Sequence, residues 1–182
     1  MSFYIRKSVK FGPKGIRYDY TVKDEKVEMI IRKADVDDAQ TIKELHDRSA
    51  LELCRKDYTV KQLEDWVKYS TVEKYQKRLE IHRTFVAEIN GKMVGFVRWN
   101  PATNELCSIF VDPDHARQGI ATKLMKKAYE DVTSYGAEKL WLYASLTAVP
   151  FYKAEGWDYI EQTMRGSLEC VRMEKSLASE NE

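Results

Sequence analysis

The run Ser108-Ile109-Phe110-Val111-Asp112-Pro113-Asp114-His115-Ala116-Arg117-Gln118-Gly119-Ile120-Ala121-Thr122 constrains the fold more than any other part of the chain. Its apolar start reads as a strand, and Asp112-Pro113 stops that strand because proline has no N–H to give to a ladder. A polar loop with one glycine follows, and then an amphipathic helix with no charged residue before Lys123. A strand that feeds a loop and opens a helix leaves backbone N–H groups without partners at the positive end of the helix dipole. Such a place suits a phosphate or another anion.

The segments on either side give this motif a setting. Val27–Arg32 reads as a first core strand. After Asp35, the positions Val36, Ala39, Ile42, His46, Ser49, Ala50 and Leu53 keep one helix face apolar or small. Thr59-Val60-Lys61-Gln62 matches a capping box, and Ser70-Thr71-Val72-Glu73 matches a second, so three helical pieces are predicted between Asp35 and His82. Thr84–Ile89 and Met93–Trp99 flank Asn90-Gly91, the pair favoured in a type I′ hairpin turn, and Leu106–Val111 adds a third antiparallel strand. Beyond the loop, Ala121, Leu124, Met125, Ala128, Tyr129, Val132 and Tyr135 recur at helical spacing, with Gly136 at the C-terminal cap. Leu140–Ala144 lacks polar alternation, as a strand covered on both faces would. A short helix over Ala148–Glu155 ends at Gly156, and strands near Tyr159–Met164 and Leu168–Met173 complete the chain.

Composition narrows the function classes. With 43% hydrophobic and 32% charged residues, 182 residues can build one full core. Thirty basic residues against twenty-nine acidic ones leave no global field for nucleic acid or membrane, so neither is an expected partner. The three cysteines, Cys54, Cys107 and Cys170, are widely spaced and form no metal-ligand or disulfide pattern, which fits a reducing compartment. No apolar run approaches the ~20 residues of a membrane span, and a cytoplasmic protein is expected. Residues 1–26 stand apart, with seven Lys or Arg against three Asp or Glu. The Gly12-Pro13-Lys14-Gly15 turn signal between Phe3–Phe11 and Ile16–Val22 predicts a basic β-hairpin extension, which packs on the domain or serves a homodimer contact. Residues 27–182 form the main domain.

This order of elements, together with two motifs, resembles the GCN5-related N-acetyltransferase (GNAT) family. The family's loop pattern Gln/Arg-x-x-Gly-x-Gly/Ala aligns with Ala116-Arg117-Gln118-Gly119-Ile120-Ala121, with Ala116 where the family usually has Gln or Arg. Roughly thirty residues on, Ala144 to Trp157 resembles the family's A-x-x-x-A-x-x-F-Y-x-x-x-G-F segment through Ala148, Phe151-Tyr152 and Gly156-Trp157. The resemblance covers about residues 27–176 and implies an α/β (α+β) fold: a mixed, mostly antiparallel sheet of six to seven strands flanked by helices, with a splayed central strand pair. It implies an enzyme that moves an acetyl group from acetyl-CoA to an amine by direct attack in a ternary complex, with no metal. The alternative is a CoA-binding sensor or interaction module without catalysis.

Acetyl transfer needs a neutral amine and a proton for the departing thiolate. An amine of pKa ~10.4 and a thiol of pKa ~8.5 both need help near neutral pH. Tyr152 matches the family's tyrosine at the sulfur, and a phenol holds its proton at neutral pH and can donate it. Glu105, at the start of the strand before the loop, is the candidate base. Ser145, at the exit of the next strand, is placed to orient a water or the acceptor. The backbone of Ile109, Phe110 and Val111 is expected to pair with pantetheine. Arg117, Gln118, Gly119, Ile120, Ala121 and Thr122 are expected at the pyrophosphate, with Phe151 beside the cofactor. Gly119 permits close approach because it carries no Cβ. His46 and His82 read as structural and His115 as solvated. Trp66, Tyr69, Tyr75, Trp99, Tyr143 and Trp157 are candidate pocket aromatics. The acceptor site is expected within Asp35–His82.

Overall fold

Capping chemistry and hairpin turns place most elements where the side chains dictate. The computed structural model describes residues 28–177 and the backbone of two short strands, Lys10–Phe11 and Arg17–Tyr18. These two pair antiparallel, Lys10 opposite Tyr18 and Phe11 opposite Arg17. The remainder of the predicted hairpin lies outside the described residues, as do residues 178–182.

The first sheet strand, β1, is Met29–Lys33. Asp35 caps a 3-10 turn at Val36–Asp38 with a full capping box, and helix α1, Ala39–Leu53, continues from it. Thr59 and Gln62 form the predicted box at the start of α2, Val60–Tyr69. The second box shifts by one residue. Thr71, not Ser70, caps α3, Val72–Ile81, by accepting from the Lys74 N–H, while Ser70 closes α2 and is buried.

Strands β2, Arg83–Ile89, and β3, Lys92–Asn100, meet at Asn90-Gly91, whose φ values of 51° and 75° are those of a type I′ turn. Strand β4 is Glu105–Val111, α4 is Ile120–Ser134 and β5 is Lys139–Ser145. Helix α5, Val149–Ala154, precedes β6, Asp158–Arg165, and β7, Leu168–Ser176. The seven strands run in the order β1-β2-β3-β4-β5-β7-β6, antiparallel except for β4 beside β5.

Two cores cover the sheet. Ile120, Leu124, Met125, Ala128 and Val132 of α4 pack on Phe85, Ala87, Val97, Leu140 and Leu142. On the other face Ile42 and Leu45 of α1 and Tyr75 of α3 pack on Val86 and Phe96. At ~1.5–3 kcal/mol per fully buried large side chain, these two faces supply most of the hydrophobic drive to fold. Gly95 sets how close α4 can lie. A Cβ there would stand 3.0 Å from Leu124 Cδ1 and 3.1 Å from the Phe110 carbonyl oxygen.

The predicted double cover of β5 is only half realised. Leu140, Leu142 and Ala144 are buried, whereas Trp141, Tyr143 and Ser145 on the other face are half-buried. That second face borders a cleft. Its origin is in the pairing, since β4 and β5 are partnered at one position, Glu105 opposite Trp141, where Trp141 N–H donates to the Asn104 oxygen at 3.2 Å. Beyond Glu105 the two strands part.

Candidate active site

The parted strands open a cavity of about 710 Å³. Its floor is Glu105, Leu106, Cys107, Ser108, Ile109 and Phe110 of β4. The register explains how β4 turns these residues. Trp99 faces Leu106 and Arg98 faces Ser108, so Cys107 is an extra, bulged residue. One wall carries His46, Trp66, Tyr69 and Tyr75 from α1, α2 and α3. The other carries Tyr143 and Ser145 of β5, Ala148, and Tyr152 of α5, and the β6–β7 hairpin closes the rim through Arg165 to Leu168. Tyr58 holds the walls in place. Its hydroxyl donates to the Glu169 oxygen at 2.6 Å and accepts from the Leu146 N–H at 2.8 Å.

Three predicted catalytic residues share this cleft: Tyr152, Glu105 and Ser145. Tyr152 is 5% exposed, with its ring edge-on to Phe151 and Trp157 at 5.4 and 5.6 Å. Burial pushes its phenol well above the ordinary tyrosine range, and the neighbouring Tyr129 adds to this. A phenol so placed keeps its proton at neutral pH. Cys107 lies on the floor, but burial holds its thiol up at about 11, so it has no thiolate character at neutral pH.

Of the residues expected at the cofactor, Ile109 and Phe110 line the cleft. Phe110 is half-buried and packs its ring on His46 at 4.6 Å and Phe96 at 5.6 Å. Val111 and Phe151 pack against the α4 core. The loop residues sit apart from the cavity, at the start of α4. Arg117 and Gly119 both take left-handed backbone, φ 60° and 77°. The left-handed Arg117 was not anticipated, since only the glycine signals such backbone in sequence.

Lys123 N–H closes onto the Gly119 oxygen at 3.1 Å, so the N–H groups of Ile120, Ala121 and Thr122 precede the first intrahelical bond. Gln118 and Arg117 are exposed, and the Gln118 amide donates to the Asp114 oxygen at 3.3 Å. The Ile120 side chain is core. Thr122 turns its hydroxyl to Glu155. The loop is anchored from below by buried Asp112, whose carboxylate accepts from Asp114 N–H and pairs with Arg48 of α1, both at 2.9 Å.

The two histidines read as structural, His46 and His82, both border the cleft. Burial, followed by the nearby Arg98 charge, holds His82 down at about 4, so it is neutral. Its Nδ1 accepts from Arg98 Nη1 at 2.7 Å, which puts its own proton on Nε2 and leaves it no free lone pair for base work. His115 stays on the loop beside Asp112 at 3.4 Å. Among the aromatics, Trp66, Tyr69, Tyr75 and Tyr143 line the cavity, while Trp99 and Trp157 are 0% and 3% exposed in the core.

With this geometry in place, residues 54–177 match the family model of the acetyltransferase (GNAT) domain. The chain belongs to the GNAT family. The GNAT domain is 27% identical over 105 residues to the uncharacterized N-acetyltransferase YafP of Escherichia coli, covering 58% of this chain and 65% of that relative. It superposes on a GCN5-related N-acetyltransferase crystal structure from Rhodopseudomonas palustris with a TM-score of 0.76 and 25% identity, over 81% of this chain and 94% of that one. The PaiA N-acetyltransferase of Thermoplasma acidophilum, solved in complex with coenzyme A, shares the fold at TM-score 0.73 and 20% identity, over 82% of this chain and 99% of that one. Among the described residues, no helix is long and apolar enough to cross a membrane.

Proposed function

We propose that the chain moves an acetyl group from acetyl-CoA to an amine acceptor by direct attack in a ternary complex. The observation that carries this reading is one cleft that joins an opened β4 edge to a buried phenol on its wall, with a left-handed amide loop just beyond the strand. The residues present suit acetyl-CoA, which supplies the activated acyl group and a thiolate leaving group. The Arg117–Thr122 amides suit its pyrophosphate, and the edge of Ile109–Val111 turned away from β3 suits pantetheine as an added strand. That a fold relative was solved with coenzyme A is in keeping with this.

Glu105 takes the proton from the ammonium form of the acceptor, and Ser145 orients the amine or a water on that path. Tyr152, which holds its proton at neutral pH, gives it to the departing sulfur. The test is thiol release from acetyl-CoA over a panel of amines. Release that depends on both the amine and Tyr152 supports acetyl transfer. Binding of acetyl-CoA with no release over the whole panel would instead leave a CoA-binding module.

A further inference from the structure

Arg98 stands in the middle of β3 at the base of the cleft, only 6% exposed. Buried arginines are normally neutralised by a carboxylate. This one is not. Its Nη1 and Nη2 donate to His82 Nδ1 at 2.7 Å and Ser108 Oγ at 2.9 Å, both uncharged acceptors, and its Nε is buried without any partner among the described residues. Glu105 and Asp65 line the same cavity, yet neither forms an ion pair with it.

Glu105 offsets part of this charge from a distance, without a hydrogen bond, but burial outweighs it. Arg78 lines the same cavity, its guanidinium 5.5 Å from the Tyr75 ring centre, and adds like charge. The fold thus holds a desolvated guanidinium at the base of its cavity, with hydrogen-bonding capacity unspent.

We propose that Arg98, with Arg78 beside it, binds a carboxylate on the acceptor. The acceptor is then an amine that carries a carboxylate, such as an amino acid, and not a polycation. A carboxylate is the planar anion that a guanidinium fork matches best. Glu105 and Asp65 remain for the ammonium end, and Trp66, Tyr69 and Tyr75 offer an apolar surface for the body between. A polyamine or aminoglycoside would have to bring its charges up to two guanidinium groups, which disfavours it. The amine half of this inference rests on the proposed acetyl transfer, whereas the carboxylate half rests on Arg98 alone.

The experiment compares the common L-amino acids with their carboxamides, titrated calorimetrically into the CoA-saturated protein. At least one acid should bind tenfold or more tighter than its amide, and Arg98→Met should bring the two within about twofold. Equal affinity of acid and amide throughout the wild-type panel, or binding of no acid, overturns the carboxylate site. Because the wild-type comparison decides, a variant that fails to fold does not remove the test. Thiol release from acetyl-CoA over the same panel separates the two readings. A binding preference without release overturns acetyl transfer and keeps the site, and release that treats acids and amides alike does the reverse.

Discussion

Thr122 donates its hydroxyl to Glu155 Oε1 at 2.9 Å, tying the first turn of α4 to the end of α5. The two motifs read in sequence are therefore in direct contact, and a carboxylate stands beside the amides proposed for pyrophosphate. An anion next to a phosphate site weakens binding by Coulomb repulsion that salt screens. Glu155→Gln keeps an acceptor for Thr122 and removes the charge. CoA should then bind about threefold tighter at low salt by calorimetry, with the gain shrinking as salt rises. Unchanged affinity at every ionic strength would place the phosphates elsewhere.

Tyr152→Phe removes the hydroxyl and little else, since the ring keeps its contacts with Phe151 and Trp157. The expected loss is in kcat, about 10²–10⁴-fold, with the dissociation constant of CoA within about twofold of wild type. Burial raises this phenol's pKa, so wild-type kcat should show no alkaline decline from it up to pH ~10. Stopped-flow thiol release across pH measures both. A variant with unaltered kcat would take Tyr152 out of the chemistry.

Glu105→Gln should lower kcat/KM at neutral pH by about 10²-fold. The deficit should narrow as pH rises toward the acceptor's own pKa of ~10, where the neutral amine no longer needs a base. A deficit of constant size across pH would make Glu105 a binding residue and not the base.

Stability should carry its own pH signature at Asp131, which is 9% exposed and accepts from Arg83 and from Trp99 Nε1, the latter at 2.9 Å. Burial alone would raise its pKa, but the Arg83 and Trp99 hydrogen bonds outweigh burial and hold it below the ordinary range. A depressed carboxylate stabilises the fold fully above its unfolded pKa of ~3.9, and that contribution fades as pH falls through the folded value. Asp131→Asn leaves Arg83 without its anion and should cost about 3 kcal/mol at pH 7, much less near pH 2, by urea unfolding. A cost that does not change with pH would mean packing alone is lost.

Much of the fold could be read from residues close together in sequence. The Asn90-Gly91 turn, the Thr59 box and the glycine-led start of α4 each follow from local chemistry, and the structure places them as expected. The cap of α3 slid from Ser70 to Thr71 because two adjacent hydroxyl residues compete for it, and burial of Ser70 decides between them. The Arg98 corner was illegible. Arg98 sits in an apolar strand between Val97 and Trp99, and nothing local says that it meets Ser108 across the ladder and His82 beyond α3. The bulge at Cys107 was likewise hidden, since one extra residue in a strand leaves no mark in its pattern of apolar positions.

Pairing of β4 with β5 at the one position Glu105–Trp141 divides the sheet mechanically into a four-strand plate and a three-strand plate. Main-chain bonding resists shear within each plate but scarcely across the seam, so relative motion of the plates is governed by α4, α5 and whatever fills the opening. A bound molecule that adds main-chain bonds along β4 would stiffen the seam, and amide exchange in β4 would slow without any change in the hydrophobic cores.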